Sequence, residues 1–255
     1  MTLVQKEVKA VYIGSRQVRP EAPYTPWIYH SPSQGYITMS SDGYNWLTIA
    51  DKNLGATKYL WQSWATDAEI QWSYFQWGNC YGFPNSGATT TSSTRVDVTW
   101  TSANGYSSST FITIVYNWFT GSNWKNLWGW ESTNPSDWRW PCSNGFHIMS
   151  RNEFQTVIPG IIRDLTWWTL PSSWKQDYGL FINNVGCLNR ETGQKENNTM
   201  DWMWTAEGYN STSMDWAIAF TVNAVQWTSW AYAVRPVLNN SIVPDSSRTV
   251  LLQGS

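Results

Sequence analysis

Apolar and polar positions alternate with a period of two in several short stretches of this chain, and only rarely with a helical period. In residues 5–20, Val8, Ala10 and Tyr12 alternate with Lys9, Val11 and Ile13, and Gly14-Ser15 supplies a turn, which predicts a short β-hairpin. Pro20, Pro23, Pro26 and Pro32 then predict an extended linker or irregular arm. Asp42-Gly43 marks a turn between two apolar stretches, 36–39 and 46–49. Residues 84–110 are rich in Ser, Thr, Asn and Gly and predict a long surface excursion ordered by its few aromatics. The Trp-rich residues 117–140 keep no 3.6-residue period and predict a packed loop. The clearest helix starts at Ser150, an N-cap with Glu153 three residues on, and Pro159-Gly160 stops it. Glu69, Trp72 and Gln76 fit a weaker helix within 63–76, with strand the alternative for its later part.

The C-terminal half reads as short strands. Residues 202–206 are one. In 216–222, Trp216, Ile218, Phe220 and Val222 share one face, and Ala217, Ala219 and Thr221 share the other. The large face is expected in the core, which leaves the small face to meet solvent or a ligand. Residues 232–237 read as a strand ended by Pro236.

Composition sharpens this picture. The 255 residues include 21 Trp, 13 Tyr and 8 Phe, while only 13% are charged. Such a chain either over-staples a loop-rich core or presents an aromatic surface, and the two coexist readily. Eleven of the tryptophans fall between residues 61 and 140, where packing of irregular segments is the expectation. Formal net charge is −2 and no run of Lys or Arg forms a phosphate-binding stripe, so nucleic acid is not an expected partner. The first ten residues lack the apolar core of a secretory signal, and no window reaches the length needed to span a bilayer. A soluble chain made in the cytoplasm, without membrane insertion, is expected.

Candidate chemistry is sparse. Cys80, Cys142 and Cys187 are odd in number and widely spaced; reduced, mostly buried thiols are expected, with one incidental disulfide the alternative. Of the two histidines, His30 and His147, the latter precedes the capped helix and is expected to be structural, bonded to backbone, rather than a ligand. Carboxylates are dispersed, which leaves loop carbonyls as the route to any calcium. No nucleophile elbow, phosphate loop or dinucleotide fingerprint occurs. Nothing singles out a glycosidase acid and base, and Cys187 between apolar neighbours reads as an inert thiol. No catalytic residue, metal site or cofactor is therefore assigned. Trp227 and Trp230, in a stretch between two strands, are expected to be exposed contacts.

Several segments in order carry a family resemblance. They are residues 42–57 (DGYNWLTIADKNLGAT), 74–79 (YFQWGN), 81–84 (YGFP), 140–154 (WPCSNGFHIMSRNEF), 204–206 (WTA) and 233–237 (AVRPV). Together they resemble the variable proteins of diversity-generating retroelements, including phage tropism determinants. The resemblance implies an α+β, C-type lectin-like fold of the formylglycine-generating-enzyme branch, with long irregular loops and short antiparallel sheets. It implies no catalysis, since the paired C-terminal cysteines of that enzyme have no match after Cys187. It also implies that error-prone copying of template adenines diversifies the C-terminal coding segment. From an AAC codon, Ala, Thr, Ser, Tyr and Asp are reachable, and Trp and Gln are not. Tyr209, Asn210, Ala217, Ala219, Thr221, Asn223 and Ser229 fit that rule; Trp216, Trp227, Trp230 and Gln226 do not.

Three parts are accordingly expected: residues 1–35 as an attachment or oligomerisation arm, 36–240 as the ligand-binding domain, and 241–255 as a polar tail. The expected binding face comprises Tyr209, Asn210, Ala217, Ala219, Thr221, Asn223, Gln226, Trp227, Ser229 and Trp230. Its partner would be a cell-surface protein or glycan, met from a phage tail or a cell surface, with homo-oligomers adding avidity. A fixed carbohydrate-binding lectin or cellular adhesin is the alternative.

Overall fold

The computed structural model describes residues 11–13, 16–18, 27–31, 33–40, 44–58, 64, 66–70, 72–100, 105–129, 140–150, 152–153, 186–196, 203–208, 216–219 and 224–243. For 11–13, 16–18, 27–30, 67–68, 125–126, 129, 216–219 and 224–225 it describes backbone alone. The description below concerns these residues. They are mostly strands and loops with little helix and short, largely antiparallel sheets, a pattern compatible with an α+β or mostly-β class.

β1 (Val11–Ile13) and β2 (Arg16–Val18) pair antiparallel, with Ile13 opposite Arg16, as the Gly14-Ser15 signal predicts. β3 (Trp27–Ser31), β4 (Tyr36–Ser40) and β5 (Trp46–Ala50) form a meander in which Tyr36 faces Ala50 and Ser40 faces Trp46. β3 thus lies inside the stretch read as an irregular arm. It is an edge strand, paired only with β4 among the described residues.

The weak helical signal of 63–76 yields a single turn, α1 (Asp67–Ile70), followed by β6 (Phe75–Gln76). Glu69 folds back to accept from the Thr66 backbone N–H and hydroxyl, both at 2.9 Å, and pairs with Lys58 at 2.9 Å. From Tyr74 the chain is extended, because Tyr74 and Phe83 exchange backbone hydrogen bonds at 2.9 and 2.8 Å. Within the Ser/Thr-rich excursion, β7 (Thr90–Ser92) pairs parallel with β9 (Thr110–Ile112), and β8 (Val96–Asp97) pairs parallel with β10 (Phe119–Thr120). Val98 and Phe111 plug it into the core while Thr90, Thr91 and residues 93–95 stay exposed. Residues 124–129, part of the predicted packed loop, make short 3-10 turns kinked at Leu127 and Trp128.

β11 (Phe146–Ile148) leads into the predicted capping box. Ser150 N donates to Glu153 Oε2 at 2.7 Å, and Glu153 N donates to Ser150 Oγ at 3.1 Å. β12 (Cys187–Leu188), β13 (Lys195–Glu196), β14 (Trp204–Gly208), β15 (Trp216–Ala219), β16 (Ala224–Trp227), β17 (Ala231–Tyr232) and β18 (Pro236–Leu238) complete the order. Three larger sheets result, ordered β11-β18-β5-β4-β3, β13-β12-β17-β6 and β14-β15-β16. Pro236 therefore opens a strand instead of ending one. A first position suits proline, since its ladder bond is dispensable there. Between β17 and β18 the chain passes from one sheet to another, and buried Arg235 anchors that crossing with bonds to Asn53 Oδ1 at 2.7 Å and Ala50 O at 2.9 Å. The start of the predicted polar tail is tied down: Thr48 N donates to Ser241 Oγ, and Ile242 N to Thr48 Oγ1.

The core falls into two clusters. One is aliphatic and aromatic, including Ile37, Met39, Leu47, Ile49, Phe83, Phe111 and Val237. The other is dominated by indoles: Trp77, Trp118, Trp124, Trp128 and Trp204, with Tyr232. These tryptophans fill space and also satisfy irregular backbone. Trp77 Nε1 donates to Thr205 O, Trp118 Nε1 to Trp77 O and Trp204 Nε1 to Phe75 O, at 3.2, 2.8 and 2.7 Å. The packing role expected for the tryptophans of 61–140 holds for Trp72, Trp77, Trp118, Trp124 and Trp128, but Trp64 and Trp100 stand 94% and 92% exposed.

Candidate functional site

The expected binding face centres on β15, the middle strand of the β14-β15-β16 sheet. β15 and β16 pair in register, Trp216 opposite Trp227, Ala217 opposite Gln226, Ile218 opposite Val225 and Ala219 opposite Ala224. On its other side β15 meets a bulge: Trp204 faces Ala219 and Gly208 faces Ala217, so β14 spends extra residues between the two pairs. Within that bulge Ala206 N donates to Met149 O at 3.1 Å, turning away from β15. Ala217 and Ala219 thus occupy one strand at alternate positions. Tyr209, Asn210, Thr221 and Asn223 lie outside the described residues, as do Phe220 and Val222.

The residues after β15 depart from the expectation of an exposed loop. Trp227 ends a strand, and both Trp227 and Trp230 are half-buried. Tyr116 packs edge-on against Trp227 with ring centroids 4.9 Å apart, and Trp230 stacks on Tyr232 at 6.2 Å and 13°. Ser229, expected on the binding face, is fully buried. Its backbone explains why. Ser229 N donates to Tyr116 O at 3.2 Å, and Ser229 O accepts from Gln76 Nε2 at 2.9 Å. Gln76, itself buried, also exchanges two 3.0 Å bonds with the backbone of Ile112. The turn at 228–230 is therefore clamped from beneath, with Trp230 N closing it onto Trp227 O at 3.1 Å. Gln226 is half-buried and accepts from the Tyr232 hydroxyl at 3.3 Å.

Two residues of this region escaped the sequence reading. Tyr116 is 48% exposed beside Trp227. Arg190 reaches over both indoles, its guanidinium carbon 5.8 Å from the Trp227 ring and 5.5 Å from that of Trp230. It is presented by the turn between β12 and β13. There Asn189 Oδ1 accepts from Glu191 N and Thr192 N at 2.7 and 3.2 Å, and Gly193 N donates to Asn189 O at 2.7 Å. Gly193 has φ +69° and sits against Ala88 and Phe111, so only glycine closes this turn without strain. The Asn-to-Gly turn signature was readable in the sequence, whereas the position of its tip over residues 227–230 follows from β12 pairing with β17 at Leu188 and Ala231.

The remaining candidates are structural. His147 is buried, with Nδ1 2.8 Å from Asn239 Oδ1 and Nε2 2.7 Å from Glu153 Oε1. It is held by side chains, where backbone was expected, and it locks the capping box to the end of β18. All three cysteines are unpaired thiols, Cys142 and Cys187 buried and Cys80 half-buried. Burial pushes the Cys80 thiol up to about 12 and Cys142 higher still, so both are protonated at neutral pH. Among the described residues no three of His, Cys, Asp and Glu come together to hold a metal ion, and no helix is long and apolar enough to cross a membrane. An open cavity of about 380 Å³ lies apart from β15, lined by Tyr44, Trp46, Asn152, Glu153, Ser241 and Val243 among others. No protein-family model matches the chain, and neither a curated protein nor a solved structure shows significant similarity to it.

Proposed function

We propose that this chain is a hypervariable ligand-binding protein of C-type lectin-like fold, diversified by a retroelement, whose face around β15 recognises a molecule on a target cell, in the manner of a phage receptor-binding protein. One observation carries the reading. β15 is held by backbone pairing with β14 on one side and β16 on the other. Around it, among the described residues, Trp204 Nε1 on Phe75 O, Gln76 on Ser229 O and Ile112, and Ser229 N on Tyr116 O tie neighbouring segments into a frame. Backbone pairing is indifferent to side-chain identity, so a strand held this way tolerates exchange of its small residues. The reading is non-enzymatic. Residues 1–35 would serve attachment or oligomerisation, and several weak faces in one multimer would gain by avidity.

Sequencing the 3′ coding region across isolates, together with its genomic neighbourhood, tests this. The expected result is a reverse transcriptase gene beside an adenine-rich near-copy of the segment coding for residues 200–237, with differences concentrated at template adenines. Differences spread evenly, or no such template, would overturn the retroelement reading. A fixed carbohydrate-binding lectin is the second reading, favoured by the Trp227–Arg190–Trp230 stack, whose members lie outside the exchangeable set.

A further inference from the structure

Among the described residues, Arg235 and Arg190 are treated in opposite ways. Arg235, 2% exposed, spends its donors on Asn53 Oδ1 and Ala50 O and has Asp51 beside it. That is how a structural guanidinium is satisfied. Arg190 has a side chain only 20% exposed, yet among the described residues it donates no hydrogen bond. Its Nε is buried and lies 3.5 Å from Glu191 Oε1, on a side chain that is itself 58% exposed. A solvated pair of that length contributes little. The nearby carboxylate of Glu196 is engaged elsewhere, by Asn189 Nδ2 and the Cys187 thiol. What holds Arg190 is the pair of indoles, at 5.8 and 5.5 Å. Stacking of this kind fixes a guanidinium in place while leaving its fork of N–H donors unspent.

Around it stand Tyr116 at the edge of Trp227, and Tyr232 stacked on Trp230. One prepositioned cation beside partly exposed aromatic side chains asks for a ligand that is anionic at one point and apolar on its ring faces.

We infer that Trp227, Arg190, Trp230 and Tyr116 form a fixed subsite for a carboxylate-bearing sugar, a uronic or sialic acid residue of a surface glycan. The carboxylate takes the Arg190 fork, and the pyranose ring lies against the aromatic side chains. The inference rests on the reading that this end of the molecule binds ligand and deepens it: the exchangeable residues of β15 would set which glycan carrier is held, and this subsite would supply a constant acidic-sugar contact beside them.

The test uses the full chain on surfaces densely coated with glucuronic acid, with glucose and with polyglutamate, read by surface plasmon resonance. Glucuronate is expected to retain the protein about tenfold or more better than glucose. R190A is expected to bring binding down to the glucose level, and R190K to recover only part of it, since an ammonium lacks the fork. Thermal melting of R190A and R190K identifies any loss of fold, and W230F, which keeps an aromatic ring, provides a milder variant expected to weaken glucuronate binding selectively. Equal retention on glucose and glucuronate, binding unchanged in well-folded R190K and R190A, or equal binding to polyglutamate would overturn the assignment. The two readings fail separately. Diversified 3′ sequences with no acidic-sugar binding defeat the subsite alone, and Arg190-dependent glucuronate binding with an invariant 3′ region defeats the retroelement reading alone.

Discussion

Replacing Arg235 by methionine removes a buried cation and leaves its partners behind. Asn53 Oδ1 and Ala50 O lose donors at 2.7 and 2.9 Å, and Asp51, 1% exposed, loses the guanidinium beside it. An orphaned buried acceptor costs about 1–3 kcal/mol, and breaking a buried ionic arrangement from one side costs about 3–5 kcal/mol in total. The terms overlap, so about 3–5 kcal/mol is the expected loss; Lys52, 3.2 Å from Asp51 but half-buried, offsets part of the charge and favours the lower end. With a urea dependence of about 3 kcal/mol per molar for a chain of this size, the unfolding midpoint should fall by about 1–1.7 M. Tryptophan fluorescence and far-UV circular dichroism, recorded in parallel, measure it and check that the transition is two-state. Arg235→Lys should lose less, because charge is kept and only the fork is lost. Most of the cost is assigned to the stranded carboxylate, so Asp51→Asn in the R235M background should restore about 1 kcal/mol or more. An R235M loss below about 1 kcal/mol, or a double variant as unstable as the sum of the singles, would refute the reasoning.

Ser150→Ala deletes one half of the reciprocal bonds to Glu153 and should cost about 1 kcal/mol in the same urea assay, with Ser150→Asp nearly neutral. Hydrogen bonds from Thr66 and the Lys58 contact lower the Glu69 carboxyl to about 2 from 4.5, so its contribution is complete above 4.5 and fades as pH falls toward 2; a side-chain carboxyl NMR titration should find that midpoint, and an ordinary one would contradict the Thr66 geometry. Burial holds Cys80 and Cys142 protonated, so an aromatic disulfide reagent at pH 8 should leave both unmodified in the native protein and label all three cysteines in denaturant; rapid native labelling of either would contradict it. Gln76→Ala strips three buried bonds from Ile112 and Ser229 and should cost about 2–4 kcal/mol while loosening the 228–230 turn, visible as faster amide exchange at Ser229.

Local signals were legible where the chemistry is local. The Gly14-Ser15 hairpin, the β4–β5 pairing around Asp42-Gly43 and the Ser150–Glu153 box depend on residues within a few positions of each other, and each has the predicted partners. Signals failed where a distant partner overrides propensity. The helical spacing of 63–76 survives only as the turn Asp67–Ile70, and its later part takes the strand alternative, held by backbone bonds between Tyr74 and Phe83. Pro236 looked like a terminator because a proline breaks a ladder, yet at the first position of β18 it pairs opposite Ile148 without needing its missing N–H. Ser229 looked like a loop contact until Gln76, far away in sequence, is seen to fasten its carbonyl.

By itself, then, the sequence determined the short-strand, loop-rich character of this protein, its capping box and the use of tryptophan as mortar, because alternation, turn chemistry and indole content act through neighbours or through volume alone. Only the tertiary structure decided which tryptophans stay wet, as Trp64 and Trp100 do, and which are half-covered, as Trp227 and Trp230 are. It also decided the meeting of Tyr116, Arg190 and residues 227–230, three segments far apart in the chain. The physical reason is that this meeting depends on β12 pairing with β17 and on Gln76 bridging β9 and the 228–230 turn. No local pattern encodes such long-range pairings, because their free energy arises only once the sheets have assembled.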